Sequence, residues 1–482
     1  MNTEIVQNKK EYFLISIILV FAVITRLYRI NSPLADWHSW RQADTSAVTR
    51  RFVNEGIDVL HPRYDDLSNI PSGRDNPNGW RFVEFPFVNA GTAVLYKALP
   101  VISLEVWGRL HSIMFSLGAV VLIFLIVRDL VSARIGLFAS AVFALLPFNI
   151  YFHRTILPEV PMVFFSLAAV YFFHRWLETK KSRDFALSVA ASALGVLLKP
   201  YVLFLGLPML YLTYRKWGRA AAKQKSLYLY LVLTLMPFVL WRLWAARFPE
   251  GIPAYTWLLN GTGIRFRPAF FRWIFAERFG KLILGYWGLI PFGIGLIRKP
   301  REKWGWFFHW WLVAMLLYLV VFATGNVTHD YYQIFITPII AIFVALGIDG
   351  LLRMPRKVFS RGLTLALLLV SLGFGLGFSW FHIRDFFNIN HPEIVSAGEA
   401  ANKILPENAI VIAPYQGDTA FLYQINRPGW PIGGDIKRKI ELGATDYVTV
   451  NFDEEANFLL ERCKPALQLE QFAIVSLLHC SL

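Results

Sequence analysis

Apolar residues fall into long runs that alternate with short polar connections along most of this chain. A membrane-spanning helix needs about 20 mainly apolar residues, and about eleven segments meet that criterion. Two of them are short and meet at Lys199-Pro200, where two tilted spans and one re-entrant pair are both open. The pattern predicts a polytopic α-helical membrane protein, with spans at 12–30, 107–127, 135–152, 158–177, 185–198, 200–214, 226–245, 281–297, 305–324, 331–352 and 362–382.

Lys and Arg are concentrated in alternate connections between these segments, and such loops lie in the cytoplasm under the positive-inside rule. The N-terminus is therefore predicted to be cytoplasmic and the region after the last span extracytoplasmic. The predicted cytoplasmic groups are Lys9 and Lys10, Arg128 and Arg134, and the basic loops at 175–183, 215–225, 298–303 and 353–361.

This orientation places a set of ionisable residues on the outer side of the membrane. Such groups are costly at a membrane edge unless they are paired or used, so their convergence indicates a functional site. The set is Asp36, Asp44, Glu84, Arg154, Glu159, Lys199, Arg265, Arg267, His329 and Asp330.

The first outer loop, at 31–106, carries two predicted helices. Thr45–Val53 is predicted as a short helix with Asp44 as its N-cap and Gly56 as its stop signal. Phe85–Leu99 is predicted to lie along the membrane interface as an amphipathic helix.

The pattern of long apolar runs ends near residue 385. This change divides the chain into a predicted membrane domain (1–384) and a predicted small extracytoplasmic domain (385–482). Helices alternate with strands in the second part, as in a small α/β domain. The predicted helices are Glu393–Leu405, Thr419–Ile425, Ile436–Leu442 and Glu454–Arg462. The predicted strands are Ala409–Ala413, Tyr447–Asn451 and Phe472–Leu478, and 427–430 is predicted as a loop.

Composition and charge narrow the class further. Hydrophobic residues make up 56% of the 482, too many for an ordinary soluble protein. The net charge of +15 comes from clusters between apolar runs and not from a basic groove, so nucleic acid is not an expected partner. Cys463 and Cys480 form no zinc or redox motif, and they can pair only if the fold brings them together outside the cytoplasm.

Two acids are the main candidates for chemistry. Asp44 either only caps a helix or also serves as a catalytic carboxylate, with Trp40 and Arg41 excluding solvent and supplying a cation. Glu159 either ends a helix at the interface or faces inward to orient an acceptor or a metal, and its spacing from Arg154 favours a local ion pair in both cases.

Six short motifs occur in a fixed order along the first 350 residues or so. The motifs are WRQADT at 40–45, Arg50 to Gly56, Glu84-Phe85-Pro86, Arg154 to Glu159, LLKP at 197–200 and HDYYQIFITP at 329–338. With these motifs the sequence resembles the membrane-embedded C-type glycosyltransferases, in particular the bacterial branch of the dolichyl-phosphate-mannose protein mannosyltransferase superfamily, which includes the lipid A aminoarabinose transferases.

The resemblance implies transfer of a sugar from a polyprenyl-phosphate carrier to a lipid, glycan or protein acceptor, with inversion, at the outer face of a bacterial inner membrane. It implies that Asp44 is the general base and Glu159 the second acid, where relatives often have Asp. Relatives often have a longer Asp-Glu motif in place of Asp44-Thr45, so Asp36 is a reserve candidate.

The chemistry also calls for cations, because a departing lipid phosphate develops negative charge. Lys199, Arg265, Arg267 and His329 are candidates, although each of them except His329 is equally well explained as a residue that snorkels to the interface. Glu84 and the two tyrosines of the last motif have two open interpretations each. Glu84 either pairs with Arg81 or supports the site, and Tyr331 and Tyr332 either form an aromatic belt or border the carrier's entry path.

No cofactor is implied with certainty, although Asp44 and Glu159 have the oxygen ligands to share a divalent cation. Two other functions stay open: a transporter or flippase of polyprenyl-linked sugars, and a non-catalytic scaffold for envelope assembly. A transporter is expected to show inverted repeats and charges near the membrane midplane, whereas here the charges lie at the outer edge.

Overall fold

The structure, a computed structural model, describes residues 2–300, 303–357, 359–478 and 480–481. Arg301, in the predicted basic loop at 298–303, lies outside them. The described chain is mainly α-helical. Its α-helices are α1 (Asn2–Arg26), α2 (Ser39–Glu55), α3 (Phe87–Ala98), α4 (Leu104–Leu130), α5 (Ala133–Leu145), α6 (Pro147–Phe152), α7 (Glu159–Thr179), α8 (Ser182–Leu198), α9 (Gly206–Trp217), α10 (Lys225–Ala245), α11 (Trp257–Asn260), α12 (Pro268–Phe271), α13 (Leu289–Ile297), α14 (Phe307–Val321), α15 (Ala323–Thr328), α16 (Thr337–Leu352), α17 (Arg361–Ile383), α18 (Pro392–Ile404), α19 (Ala420–Ile425), α20 (Ile436–Glu441) and α21 (Glu454–Arg462).

Tighter and wider helical turns extend several of these helices. The 3₁₀ segments are Pro200–Leu205, Gly218–Lys223, Pro249–Gly251, Asp330–Ile336 and Arg384–Phe387, and Arg272–Ile283 is a π-helix. Pro200 starts its segment because proline is tolerated where no intrahelical N–H is needed. The Lys199-Pro200 junction is therefore a break in the helix between α8 and α9.

Five helical stretches among the described residues are long and apolar enough to cross a membrane: Leu104–Leu130, Glu159–Thr179, Lys225–Ala245, Asp330–Leu352 and Arg361–Ile404. They coincide with five of the predicted spans and make this a multi-pass membrane protein. The other predicted spans overlap shorter or interrupted helices, so a count of eleven is not confirmed.

The chain forms two compact units, the first of which comprises Met1–Tyr28, Leu110–Leu240 and Tyr255–Asp385. Helices α13 and α16 make a particularly close contact within it. A Cβ on Gly295 would overlap the carbonyl oxygen of Phe343, and one on Gly347 would overlap that of Pro291. Small residues allow such backbone approach in membrane helices, where packing replaces the hydrophobic effect as the driving force.

The second unit comprises Arg29–Arg109, Trp241–Ala254 and Phe386–Leu482. It contains a five-stranded sheet in the order β2-β1-β3-β5-β4, in which β1 runs parallel to β2 and β3 and the last two strands are antiparallel to their neighbours. The strands are β1 (Val411–Ile412), β2 (Gly429–Trp430), β3 (Asp446–Thr449), β4 (Pro465–Gln468) and β5 (Ala473–Ser476).

The predicted α/β character of the C-terminal region is confirmed, with two differences. The predicted loop at 427–430 contains β2, and β4 was not predicted. Strand β2 has only two residues, and in β4 exposed residues alternate with half-buried ones, so neither has a distinct apolar run.

The outer edge of β2 is covered by the first loop of the same unit. Gly429 N donates to Asp65 O and Leu67 N donates to Gly429 O, both at 2.8 Å. A Cβ at 429 would collide with the carbonyl of Val411, so glycine is required there. A segment near residue 66 is thus built into the sheet of the C-terminal region.

Cys463 and Cys480 form a disulfide that closes a loop of sequence separation 17. Cys463 follows α21 and Cys480 follows β5, and Cys463 is part of the hydrophobic core around Tyr447 and Leu459. The fold therefore brings the two cysteines close enough to pair, a question that the sequence left open.

Candidate active site

Asp44 lies within helix α2, and not at its N-cap as predicted. The helix begins at Ser39 after His38, which is in the left-handed region with φ 55°, and it ends at Gly56 with φ 104°. No residue between Ser39 and Asp44 breaks a helix, so the capping preference of aspartate is not used. The predicted stop at Gly56 is confirmed, and the alternative that Asp44 only caps a helix is wrong.

Both carboxylate oxygens of Asp44 have a partner, and the residue is only 4% exposed. Arg81 Nη2 lies 2.6 Å from Oδ2, and Thr419 Oγ1 donates to Oδ1 at 2.7 Å. A carboxylate has about four acceptor sites, so each oxygen keeps one for another donor. The carboxylate is therefore held in one orientation and keeps hydrogen-bonding capacity.

Arg81 is itself held by an aromatic ring. Its Cζ lies 4.9 Å from the centroid of the Tyr64 ring, and the Tyr64 hydroxyl is 3.4 Å from Asp66 Oδ2. This arrangement adds a cation–π contact to the ion pair with Asp44. The first loop thus supplies the acid, its counter-ion and the support of that counter-ion.

The negative charge of Asp44 acts on two more carboxyl groups in this unit. Burial, reinforced by the negative charge of Asp44, raises the pKa of Asp66 to about 6 and that of Asp418 to about 6. The side chain of Asp66 also accepts a hydrogen bond from Ser68 N at 2.7 Å. The total charge of the carboxyl groups around Asp44 therefore changes near pH 6.

The other first-loop candidates form pairs of their own. Arg41 Nη2 lies 2.5 Å from Glu84 Oε1, which does not support the interpretation that Glu84 pairs with Arg81. Gln42 donates to Asp36 Oδ1 at 2.8 Å, and Arg109 Nη2 is 4.0 Å from Asp36 Oδ2. Arg41 thus serves as a counter-ion of Glu84.

Glu159 is at the start of α7 in the first unit and is 1% exposed. Its Oε1 lies 3.1 Å from Lys199 Nζ and accepts a hydrogen bond from the Tyr201 hydroxyl at 3.3 Å. The predicted ion pair with Arg154 is wrong, because Arg154 instead donates to the carbonyl of Tyr28 at 2.8 Å. Lys199 reaches Glu159 from the break between α8 and α9.

The HDYYQ motif lies at the start of the 3₁₀ segment that leads into α16. The His329 ring stacks on Tyr331 at 5.3 Å, and Tyr332 contacts both His329 and Tyr201. Asp330 is ion-paired with Arg278. Both tyrosines are at most 9% exposed, so their side chains are buried in the described structure.

The two arginines near 266 differ in their surroundings. Arg265 donates to the carbonyls of Leu259 and Val321 at 3.0 and 2.8 Å, and so caps the end of α14. Arg267 is exposed. Of this pair, only Arg267 presents its guanidinium to the surroundings of the unit.

Comparison with known proteins tests the fold. Residues 101–244 match the family profile described as dolichyl-phosphate-mannose-protein mannosyltransferase. ArnT from Cupriavidus metallidurans, in a crystal structure with undecaprenyl phosphate, aligns with 96% of this chain and 97% of its own at a TM-score of 0.69 and 14% identity. This chain has a C-type glycosyltransferase fold.

A second protein with this fold is the archaeal oligosaccharyltransferase AglB from Archaeoglobus fulgidus, solved with an inhibitory peptide and a dolichol-phosphate. It aligns with 91% of this chain and 69% of its own, at a TM-score of 0.57 and 12% identity. No curated protein matches the sequence significantly. The resemblance of the motifs to C-type glycosyltransferases is confirmed at the level of fold.

Within this C-type fold, the predicted site residues fall into the two units. Asp36, Arg41, Asp44 and Glu84 are in the second unit, and the remaining predicted residues, from Arg154 to Tyr332, are in the first. Prediction from sequence missed Thr419 and Tyr201, and it did not foresee that Arg81 pairs with Asp44. Thr419 follows Asp44 by 375 residues, and nothing local in the sequence connects them.

Metal binding was an open alternative in the sequence. Among the residues that the structure describes, no three His, Cys, Asp or Glu side chains are grouped closely enough to hold an ion together. A divalent cation shared by Asp44 and Glu159 therefore stays a prediction.

Proposed function

We propose that this protein transfers a sugar from a polyprenyl-phosphate carrier to an acceptor at the extracytoplasmic face of the bacterial inner membrane. The observation that carries the proposal is the buried Asp44 carboxylate, oriented by Arg81 and Thr419 within the C-type fold. The fold match to ArnT, which was solved with undecaprenyl phosphate, supports the choice of carrier.

In this reaction an acceptor hydroxyl attacks the anomeric carbon from the side opposite the phosphate. A new bond forms between the acceptor oxygen and that carbon, while the bond from the carbon to the phosphate oxygen breaks and its electron pair leaves with the phosphate. The hydroxyl proton passes to Asp44. Because the attack comes from the side opposite the leaving phosphate, the product is inverted at the anomeric carbon. General bases of this kind contribute typically 10²- to 10⁴-fold in rate.

The departing phosphate gains negative charge and needs a cation. Lys199 is the best candidate, because Glu159 and the backbone break at Pro200 hold its ammonium group in a defined position. His329 and Arg267 are further candidates, whereas Arg265 already caps α14. Asp36 stays in reserve as an alternative base, although Gln42 occupies one of its oxygens.

The deciding experiment uses purified protein in detergent and a set of radiolabelled polyprenyl-phosphate sugars. We expect the wild type to release sugar from at least one donor and Asp44→Asn to lose about 10²-fold or more of that rate while remaining folded. The control is Asp435→Asn, an exposed aspartate in the left-handed region, where asparagine fits well. Full activity of Asp44→Asn would remove it as the base. A protein that binds carrier lipid but releases no sugar would favour a transporter or a scaffold.

A further inference from the structure

The second unit contains a cavity of about 580 Å³ that the proposed reaction does not use. It lies beside the end of α2, and we call it the rim pocket. Its lining combines cations, anions and aromatic rings: Arg51, Glu55, Asp58, His61, Arg63 and Trp80, with Phe52, Gly56 and Phe248. A cavity of this size is in the usual range for small-molecule sites.

The charged side chains of the rim pocket form two ion-paired groups. Glu55 pairs with Arg51 at 2.7 Å and with Arg63 at 3.2 Å, and Asp58 pairs with His61 at 2.8 Å. These side chains are between 21% and 60% exposed, so they remain open to a ligand. These ion pairs hold hydrogen-bond donors and acceptors side by side.

The balance of charge indicates what kind of ligand fits. Two guanidinium groups face two carboxylates, so the lining has no net charge when His61 is neutral. A phosphate would meet Glu55 and Asp58, and a cation would meet Arg51 and Arg63, so neither is favoured. A neutral molecule with many hydroxyl groups uses both kinds of partner, because a hydroxyl donates and accepts.

The aromatic part of the lining supports the same class. The Trp80 ring lies 5.8 Å from the His61 ring and 5.4 Å from Phe248, and Arg63 lies 5.9 Å from the Trp80 centroid. Trp80 is partly exposed. An aromatic ring offers a flat apolar surface on which the C–H face of a pyranose can pack while its hydroxyls reach polar groups at the edge.

The rim pocket and Asp44 lie along one helix. Arg51 and Glu55 follow Asp44 by seven and eleven residues, spacings that place all three on one face of α2. With a rise of 1.5 Å per residue, they lie about 10 to 16 Å from Asp44 along the helix axis. One acceptor of several sugar units is therefore long enough to contact both places, although the face of α2 between them, at Ala47 and Val48, is buried.

We infer that the rim pocket binds a neutral hexose unit of the acceptor, and that the acceptor is accordingly a glycan or glycolipid. The binding site is inferred from the pocket itself, and only its assignment to the acceptor rests on the proposed function. Within the proposed reaction, Glu55 and Arg63 are binding residues that set acceptor affinity and take no part in proton transfer.

The test is saturation-transfer NMR on purified protein with methyl glycosides of glucose, galactose and mannose, and with glucose 1-phosphate as the anionic comparison. We expect at least one neutral glycoside to bind, and Glu55→Gln and Arg63→Gln each to weaken it about tenfold, since charge-assisted hydrogen bonds are lost. Glu461→Gln, an exposed acid on α21 outside the pocket, is the matched control and should not change binding.

The inference is overturned if no neutral glycoside binds, if Glu55→Gln binds it as the wild type does, or if glucose 1-phosphate binds more tightly. Donor turnover measured on the same samples separates the two proposals. If glycoside binding depends on Glu55 but the protein shows no Asp44-dependent turnover, the proposed glycoside site is retained and the proposed transferase activity is rejected. Asp44-dependent turnover, together with glycoside binding that Glu55→Gln does not weaken, would support the transferase and reject the proposed role of the pocket.

Discussion

Thr419 Oγ1 donates a 2.7 Å hydrogen bond to Asp44 Oδ1 across a sequence separation of 375 residues. The same hydroxyl lies 3.3 Å from the carbonyl of Trp40, one turn earlier in α2. The C-terminal region therefore takes part in orienting the proposed base, and its role extends beyond supporting the sheet.

Removal of this hydroxyl should lower turnover without unfolding the protein. We expect Thr419→Val to reduce kcat about tenfold, the effect of one hydrogen bond to a charged group, with little change in donor KM. Thr419→Ser keeps the hydroxyl and should retain most of the activity. Full activity of Thr419→Val together with a loss in Thr419→Ser would mean that the methyl group, and not the hydrogen bond, is what matters.

The raised pKa of Asp66 predicts a pH-dependent stability. The buried carboxyl holds its proton up to about pH 6, whereas an unfolded aspartate loses it near 3.8. The native state therefore binds more protons between these values, and the contribution of Asp66 to stability is complete below pH 4 and is lost as the pH rises through 6. The shift corresponds to about 3 kcal/mol.

Asp66→Asn removes this titration and keeps the acceptor for Ser68 N. We expect the Tm of the variant, relative to that of the wild type, to be higher at pH 7.5 than at pH 4.5. Asp418→Asn should shift in the same direction because its pKa is raised too. A Tm difference that stays constant with pH would contradict this account of Asp66.

Substitutions at Lys199 and at Glu159 should differ in their effect on carrier binding. Lys199→Met removes the proposed phosphate contact and should weaken the binding of undecaprenyl phosphate about tenfold. Glu159→Gln removes the anion that competes for the ammonium group, at 3.1 Å, so binding should be unchanged or tighter. If both variants weaken binding equally, the pair has a structural role only.

The disulfide should stabilise the second unit considerably. Closing a loop of sequence separation 17 is worth about 3 kcal/mol. We expect the Cys463→Ser, Cys480→Ser double variant to have a lower Tm and faster trypsin cleavage after β3, with the helices of the first unit unaffected. An unchanged Tm after reduction of the wild type would contradict this stabilisation.

The extent to which the sequence predicts this structure differs between its parts. Long apolar runs such as 331–352 and the helix of Glu454–Arg462 are local signals, and the structure confirms them. The start of α2 was placed six residues too late because the preference of Asp44 for an N-cap is weaker than the continuity of the helix.

Long-range partners of the candidate acids could not be predicted. Thr419 and Tyr201 are ordinary residues in their local context, and only the fold brings them to Asp44 and Glu159. The choice of Arg41 over Arg81 for Glu84 likewise depends on how α2 packs against the loop after Trp80. Pattern and spacing identify candidate acids, whereas the pairing of charges is a tertiary property.

The pairing of Gly429 with Asp65 and Leu67 has a consequence for biosynthesis. The first loop is synthesised long before β2 and Thr419, so during translation it has neither its sheet neighbour nor the hydroxyl that orients Asp44. Domains usually fold as the chain emerges, N-terminal parts first. Here the carboxylate acquires its final environment only after the chain has been synthesised as far as Gly429.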